Sequence, residues 1–108
     1  MLEDNLYSII HKDDSTCNII LSDKNHPVFK AHFEGNPLLP GFLQIDILAS
    51  IYSKIVDEIV SVKFMEPILP QTNLSYSLKI NDKNVVNIEL KDSTNTTLST
   101  IKLKWHNV

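Results

Sequence analysis

Glycine is scarce in this 108-residue chain: Gly35 and Gly41 are the only two, six positions apart. Cysteine is scarcer still. The lone Cys17 cannot close an internal disulfide, which fits a reducing compartment and predicts a cytoplasmic protein. No block of like charges occurs, and a net charge of -3 gives no general reason to expect nucleic acid or an anionic membrane as partner. The longest strongly apolar stretch, 42–60, is interrupted by Gln44, Asp46, Lys54, Asp57 and Glu58, which excludes a membrane span. The opening MLEDNLYSIIHKDD is acidic and has no long apolar run, so no secretory signal is expected there. His11, His26, His106 and Cys17 show no metal-ligand spacing, and neither metal nor cofactor is predicted. Repeats, linkers and low-complexity segments are also missing. Hydrophobic residues make up 43% and charged residues 21%, so one packed domain over 1–108 is expected.

What is present has a clear division. All five prolines (Pro27, Pro37, Pro40, Pro67, Pro70) and both glycines lie between residues 27 and 70. Before that zone, Leu6–Ile10 and Cys17–Leu21 read as short strands around a polar turn at 12–15. Pro40 and Gly41 then open a predicted helix running from Phe42 to about Val60. Its first half is apolar on nearly every side, which predicts burial. Its second half, with Lys54, Asp57 and Glu58, reads as amphipathic. Beyond it, Val62–Phe64, Leu74–Ile80, Val86–Leu90 and Ile101–Trp105 alternate apolar and polar residues, the period of an antiparallel sheet with one buried face. Asn81–Asn84 and Asp92–Thr96 supply turn residues between them. Trp105 and Tyr76 are expected in the core or an interface. The fold class is therefore α+β: an antiparallel sheet wrapped around one long central helix.

The stretch from His32 to Ser50 reads HFEGNPLLPGFLQIDILAS. It resembles the signature of the 3-hydroxyacyl-acyl-carrier-protein dehydratases of fatty acid synthesis (the FabA/FabZ group): His-Phe-x-Gly-x-Pro-x-x-Pro-Gly, then an acid on the helix. His32, Phe33, Gly35, Pro37, Pro40 and Gly41 fill every fixed position, and Asp46 follows the histidine by 14 residues (46 minus 32). The resemblance covers about residues 24–80 and implies a hot-dog fold. It implies an obligate homodimer or higher even oligomer, because base and acid in that family come from different subunits. It also implies a thioester substrate carried by acyl carrier protein or coenzyme A. Two positions depart from the commonest pattern. Glu34 adds a carboxylate two residues from His32, and the helix acid is Asp rather than Glu.

The chemistry asks for these residue types. Dehydrating a 3-hydroxyacyl thioester needs a base for the C2 proton, an acid for the departing C3 hydroxyl and a donor to the thioester oxygen. A neutral imidazole titrating near pH 6.5 suits His32 as the base. A carboxyl on a buried helix is raised by desolvation, so Asp46 is expected to hold a proton to give. The Gly41 amide at the helix start is expected to donate to the developing oxyanion. Phe33, Gly35, Pro40, Phe42 and Leu43 are the expected substrate-binding neighbours. The acyl chain is expected along Phe42, Leu43, Ile45, Ile47 and Leu48 and the dimer seam, where bulky residues favour short or medium chains.

Plainer readings stand beside these. Asp46, Ser50, Ser53 and Asp57 fall at helical spacings of 4, 3 and 4, so Asp46 could simply start a solvated stripe. Lys24, Lys30, Lys54 and Lys63 could meet an acidic carrier protein, or only solvent. Two other functions compete: a hot-dog thioesterase, and a non-catalytic acyl-binding or partner subunit.

Overall fold

The structure is a computed structural model that describes residues 5–31 and 37–108, the side chain of Ala31 excepted. Six strands form one sheet: β1 (Tyr7–Lys12), β2 (Thr16–Leu21), β3 (Lys54–Phe64), β4 (Asn73–Ile80), β5 (Val86–Lys91) and β6 (Thr97–Asn107). Their order is β1-β2-β4-β5-β6-β3, with every neighbouring pair antiparallel. Among the described residues two helices interrupt the strands, α1 (Pro27–Ala31) and α2 (Gly41–Ile51).

The alternation sets which face of the sheet is buried. Leu74, Tyr76 and Leu78 on β4, Val86, Ile88 and Leu90 on β5, and Ile101 and Leu103 on β6 all point inward and pack with α2 in one core. The intervening Lys79, Glu89, Lys102 and their neighbours face out. The turn after β1 is built by Asp13, whose carboxylate accepts the amides of Ser15 at 2.9 Å and Thr16 at 2.8 Å. Asp92 does the same for Thr94 and Thr96, both at 3.0 Å, before β6. Short acceptor side chains are favoured in turns for this reason.

The helix is the main correction. The expected run from Phe42 to Val60 stops at Ile51, so α2, counted from Gly41, has 11 residues. Tyr52 and Ser53 close it through their amides, to the carbonyls of Leu48 at 3.1 Å and Ser50 at 3.2 Å, and Ser53 turns left-handed at φ 55°. The chain then leaves as β3. Ile55, Val56, Ile59, Val60 and Val62 explain the change, since branched β-carbons restrict side-chain rotation in a helix and fit a pleated strand. Lys54, Asp57 and Glu58, expected on the amphipathic end of the helix, therefore lie on a strand. The supposed stripe from Asp46 to Asp57 ends at Ser50 for the same reason. Among the described strands β3 pairs only with β6 and is an edge of the sheet. Register shifts fall between Val56 and Glu58 and between Ile59 and Ser61, so β3 is bulged twice.

The short helix α1 was not expected either. Pro27 occupies its first position, where a missing amide proton costs nothing, and the His26 ring nitrogen accepts the Val28 amide at 3.1 Å. Val28 and Phe29 anchor it in the core. No described helix is long and apolar enough to cross a membrane.

Candidate active site at the start of the central helix

The Leu-Leu-Pro segment delivers the chain to α2. The Leu39 amide donates to the Ile68 carbonyl at 2.7 Å, tying this approach to the segment that follows β3. Pro40 is buried and extended, with φ −58° and ψ 144°, and its carbonyl accepts the Leu43 amide at 3.1 Å. Among the described residues no side chain caps the helix start. First-turn amides and the positive end of the helix dipole are therefore concentrated at Gly41.

Gly41 is a position of close approach. A β-carbon there would stand 2.5 Å from Cζ and 2.6 Å from Cε2 of Phe64. The aromatic ring thus occupies the space that glycine leaves open.

Asp46 lies one turn and a half beyond Gly41. It shares an exposed face with Phe42 and Ser50, while Leu43, Ile45, Ile47 and Leu48 are buried in the core. The expectation of a helix buried all round holds for its core side and fails on this stripe, where Phe42 is 54% exposed. Of the expected site residues, the structure places Gly41, Phe42, Leu43 and Asp46 on the first two turns of α2, with Pro40 immediately before them. His32, Phe33 and Gly35, like Glu34, lie outside the described residues. A cleft of about 630 Å³ opens beside Pro37, lined by Lys24, Leu69 and Pro70 among others. Of the four lysines expected to face solvent or a carrier, Lys24, Lys30 and Lys63 are exposed, and the Lys54 ammonium donates to the Asn107 side chain.

Gln44 was missed. It reads as an interruption of an apolar run, yet it is 3% exposed within the core. The Ser99 hydroxyl donates to its side-chain oxygen at 2.8 Å, and the Tyr76 hydroxyl donates to its main-chain carbonyl at 3.1 Å. These bonds fix the rotation of α2 about its axis. With Gln44 held inward, Asp46 two residues later is turned outward. The only sequence signal was one polar residue inside an apolar stretch.

The far end of α2 is tied down separately. The Tyr52 hydroxyl donates to the carbonyls of Asp13 at 2.7 Å and Thr16 at 3.1 Å, and its ring packs 6.2 Å from Trp105. Burial, with help from the charges of Cys17 and of Asp13 and Asp14, pushes the Tyr52 phenol up to about 12. The Cys17 thiol is also pushed up by burial. Asp13 is held well below the usual carboxylate range, first by the Ser15 amide and then by His11 and Thr16.

Comparison with known proteins agrees with this architecture. No curated protein matches the sequence. Among solved structures, the dehydratase heterocomplex ApeI:P from Xenorhabdus doucetiae matches with a TM-score of 0.75 and 25% identity, covering 92% of this chain and 96% of that one. An uncharacterized protein from Erwinia carotovora subsp. atroseptica matches at a TM-score of 0.69 and 27% identity, covering 95% and 98%. A thioesterase from Staphylococcus aureus shares the fold at a TM-score of 0.64 and 16% identity, covering 96% and 94%. The six-stranded antiparallel sheet over one central helix is therefore a hot-dog fold. A family model described as ApeI dehydratase matches residues 9–102, so this chain belongs to the ApeI-like dehydratase family.

Proposed function

We propose that this protein dehydrates 3-hydroxyacyl thioesters to trans-2-enoyl thioesters, in the manner of the FabA/FabZ dehydratases, on acyl groups carried by acyl carrier protein. The match to a dehydratase family across 9–102, a span that includes the whole motif, carries the reading. Gly41 and Asp46 supply the geometry that supports it: an uncapped helix start followed by a carboxylate one and a half turns on.

The proposed steps balance simply. His32 takes the C2 proton, and the thioester oxygen gains charge against the Gly41 amide. The C3–O bond breaks as Asp46 gives its proton to the departing hydroxyl, and water leaves. The imidazolium then loses its proton to solvent and Asp46 regains one. A carboxyl that stays protonated requires dry surroundings. Asp46 stands on an exposed stripe of the single chain, so a covering chain must provide them.

We propose a second copy of this chain as that cover. β3 leaves one edge unpaired among the described strands and exposes Ile55, Ile59 and Val60 at 46–50%. An antiparallel edge strand is self-complementary about a two-fold axis, the commonest symmetry of homo-oligomers. The exposed helix stripe and this edge together form the surface that a second copy would bury.

One observation favours a second reading. The Xenorhabdus dehydratase was found as a heterocomplex. The exposed Asp46, and the extra carboxylate of Glu34 two positions along the sequence from the expected base, favour a role as the partner subunit of a different chain.

The test supplies 3-hydroxyacyl and saturated acyl thioesters to the purified protein and follows enoyl absorbance and free thiol together. Enoyl formation without thiol release is expected. Thiol release from the saturated thioester would make it a thioesterase, and neither product would leave the partner role.

A further inference from the structure

We infer that Phe64 is a positioning residue for the Gly41 amide, holding the oxyanion donor in place from the side of the helix that carries no β-carbon. The inference rests on the dehydratase reading and names a device within that site.

Three observations converge on it. The far end of the Phe64 ring fills the space where a β-carbon of Gly41 would be, with Cζ, Cε2 and Cε1 at 2.5, 2.6 and 3.1 Å from that position. In the sheet, Phe64 is the register partner of Ser99. Ser99 is the residue whose hydroxyl bonds the side chain of Gln44 at 2.8 Å. The first turn of α2 is therefore gripped twice by one pair of cross-strand neighbours. Ser99 of β6 holds it through Gln44, and Phe64 of β3 holds it through Gly41. Glycine is the residue whose backbone is freest to move. An oxyanion donor is effective only when its direction is fixed before charge develops. A ring packed on the glycine resolves that conflict.

The role is distinct from substrate contact, so it should appear in turnover rather than binding. Phe64→Ala is expected to lower kcat about tenfold with KM within about twofold, because a loosened donor loses part of the 10²- to 10³-fold that such donors supply. Phe64→Leu, which keeps apolar bulk without the flat ring, should fall in between. Ile20→Ala, removal of a comparably exposed side chain on β2, should leave kcat within about twofold. Gly41→Ala should melt lower than wild type, and Gly41→Ala/Phe64→Ala should recover the melting temperature while kcat stays low.

Several results would overturn the assignment. Turnover of Phe64→Ala matching that of Ile20→Ala would do so, as would a raised KM at unchanged kcat. Loss of the oligomer by Phe64→Leu in sedimentation would move the effect to assembly and equally defeat it. If Phe64→Ala does not fold, Phe64→Leu decides, and wild-type turnover in it rejects the role. A wild-type protein that dehydrates no 3-hydroxyacyl thioester refutes the dehydratase reading itself. That failure is distinguishable, because the melting-temperature rescue reports the Phe64–Gly41 contact without any activity.

Discussion

Removing the Ser99 hydroxyl should cost more than its own hydrogen bond. Ser99 is fully buried and donates to Gln44, itself 3% exposed, at 2.8 Å. In Ser99→Ala the Gln44 side-chain oxygen loses this donor inside the core. Leaving a buried acceptor unpaired costs about 1–3 kcal/mol. For a chain of this size, each kcal/mol lowers the melting temperature by about 4–8 °C, so a drop of about 8–16 °C corresponds to a mid-range loss near 2 kcal/mol. Gln44→Met alone should cost a similar amount, because it strands the serine hydroxyl instead. Gln44→Met/Ser99→Ala removes both partners at nearly constant volume and should lie close to wild type. Thermal melts or urea titrations of the four proteins complete a double-mutant cycle. If the two losses simply add, or if both single variants are neutral, the pair does not fix the helix as argued here.

Other expectations follow from the same geometry. His32→Ala and Asp46→Asn should each reduce dehydration about 10²- to 10⁴-fold at unchanged melting temperature, read by enoyl absorbance. Mixing His32→Ala with Asp46→Ala should restore part of the activity if base and acid come from different chains, whereas no recovery despite subunit exchange would contradict a shared site. Ile59→Lys, on the exposed edge of β3, should fold and sediment as a monomer without turnover. Asp13→Asn should lower the melting temperature at neutral pH. Because the carboxylate is held below its ordinary range in the folded chain, its stabilisation is present above about pH 4 and fades as pH falls further. The difference between the two proteins should therefore shrink on acidification, and a difference that grows instead would reverse the sign. Leu43, Ile45, Ile47 and Leu48 are taken up by the core, so an acyl chain has only the exposed Phe42 side of the helix to follow. It should gain about 0.8 kcal/mol per methylene buried there, giving a short- or medium-chain optimum in kcat/KM.

Much of the sheet was legible because period-two alternation leaves one solution for a one-sided sheet. Leu74, Tyr76 and Leu78, and likewise Val86, Ile88 and Leu90, face the core as their spacing demands. The same logic failed at β3, for a physical reason. An edge strand with most of its residues exposed has no clean apolar–polar alternation, and its charges at Lys54, Asp57 and Glu58 fell close enough to helical spacing to mislead. Only the density of Ile and Val marked it as strand. The helix start was readable from Pro40 and Gly41, but the setting of Asp46 was not: a carboxyl on a buried helix was expected, and Asp46 stands on an exposed stripe. The inward position of Gln44 was not readable. It depends on Ser99 and Tyr76, 55 and 32 residues away in sequence, and no local pattern reports such a partner. Phe64 was hidden similarly, since its contact with Gly41 exists only after β3 folds back beside α2.

The most direct test of dehydration runs the reaction backwards. Hydrating a trans-2-enoyl thioester in deuterium oxide must place one carbon-bound deuterium at C2, because the same base and acid work in reverse. Mass spectrometry of the thioester after exchange back into ordinary water should show a 3-hydroxyacyl product with that single deuterium for the wild type, and unreacted enoyl thioester for Asp46→Asn. Free enoic acid without deuterium, or equal hydration by the wild type and Asp46→Asn, would contradict the account.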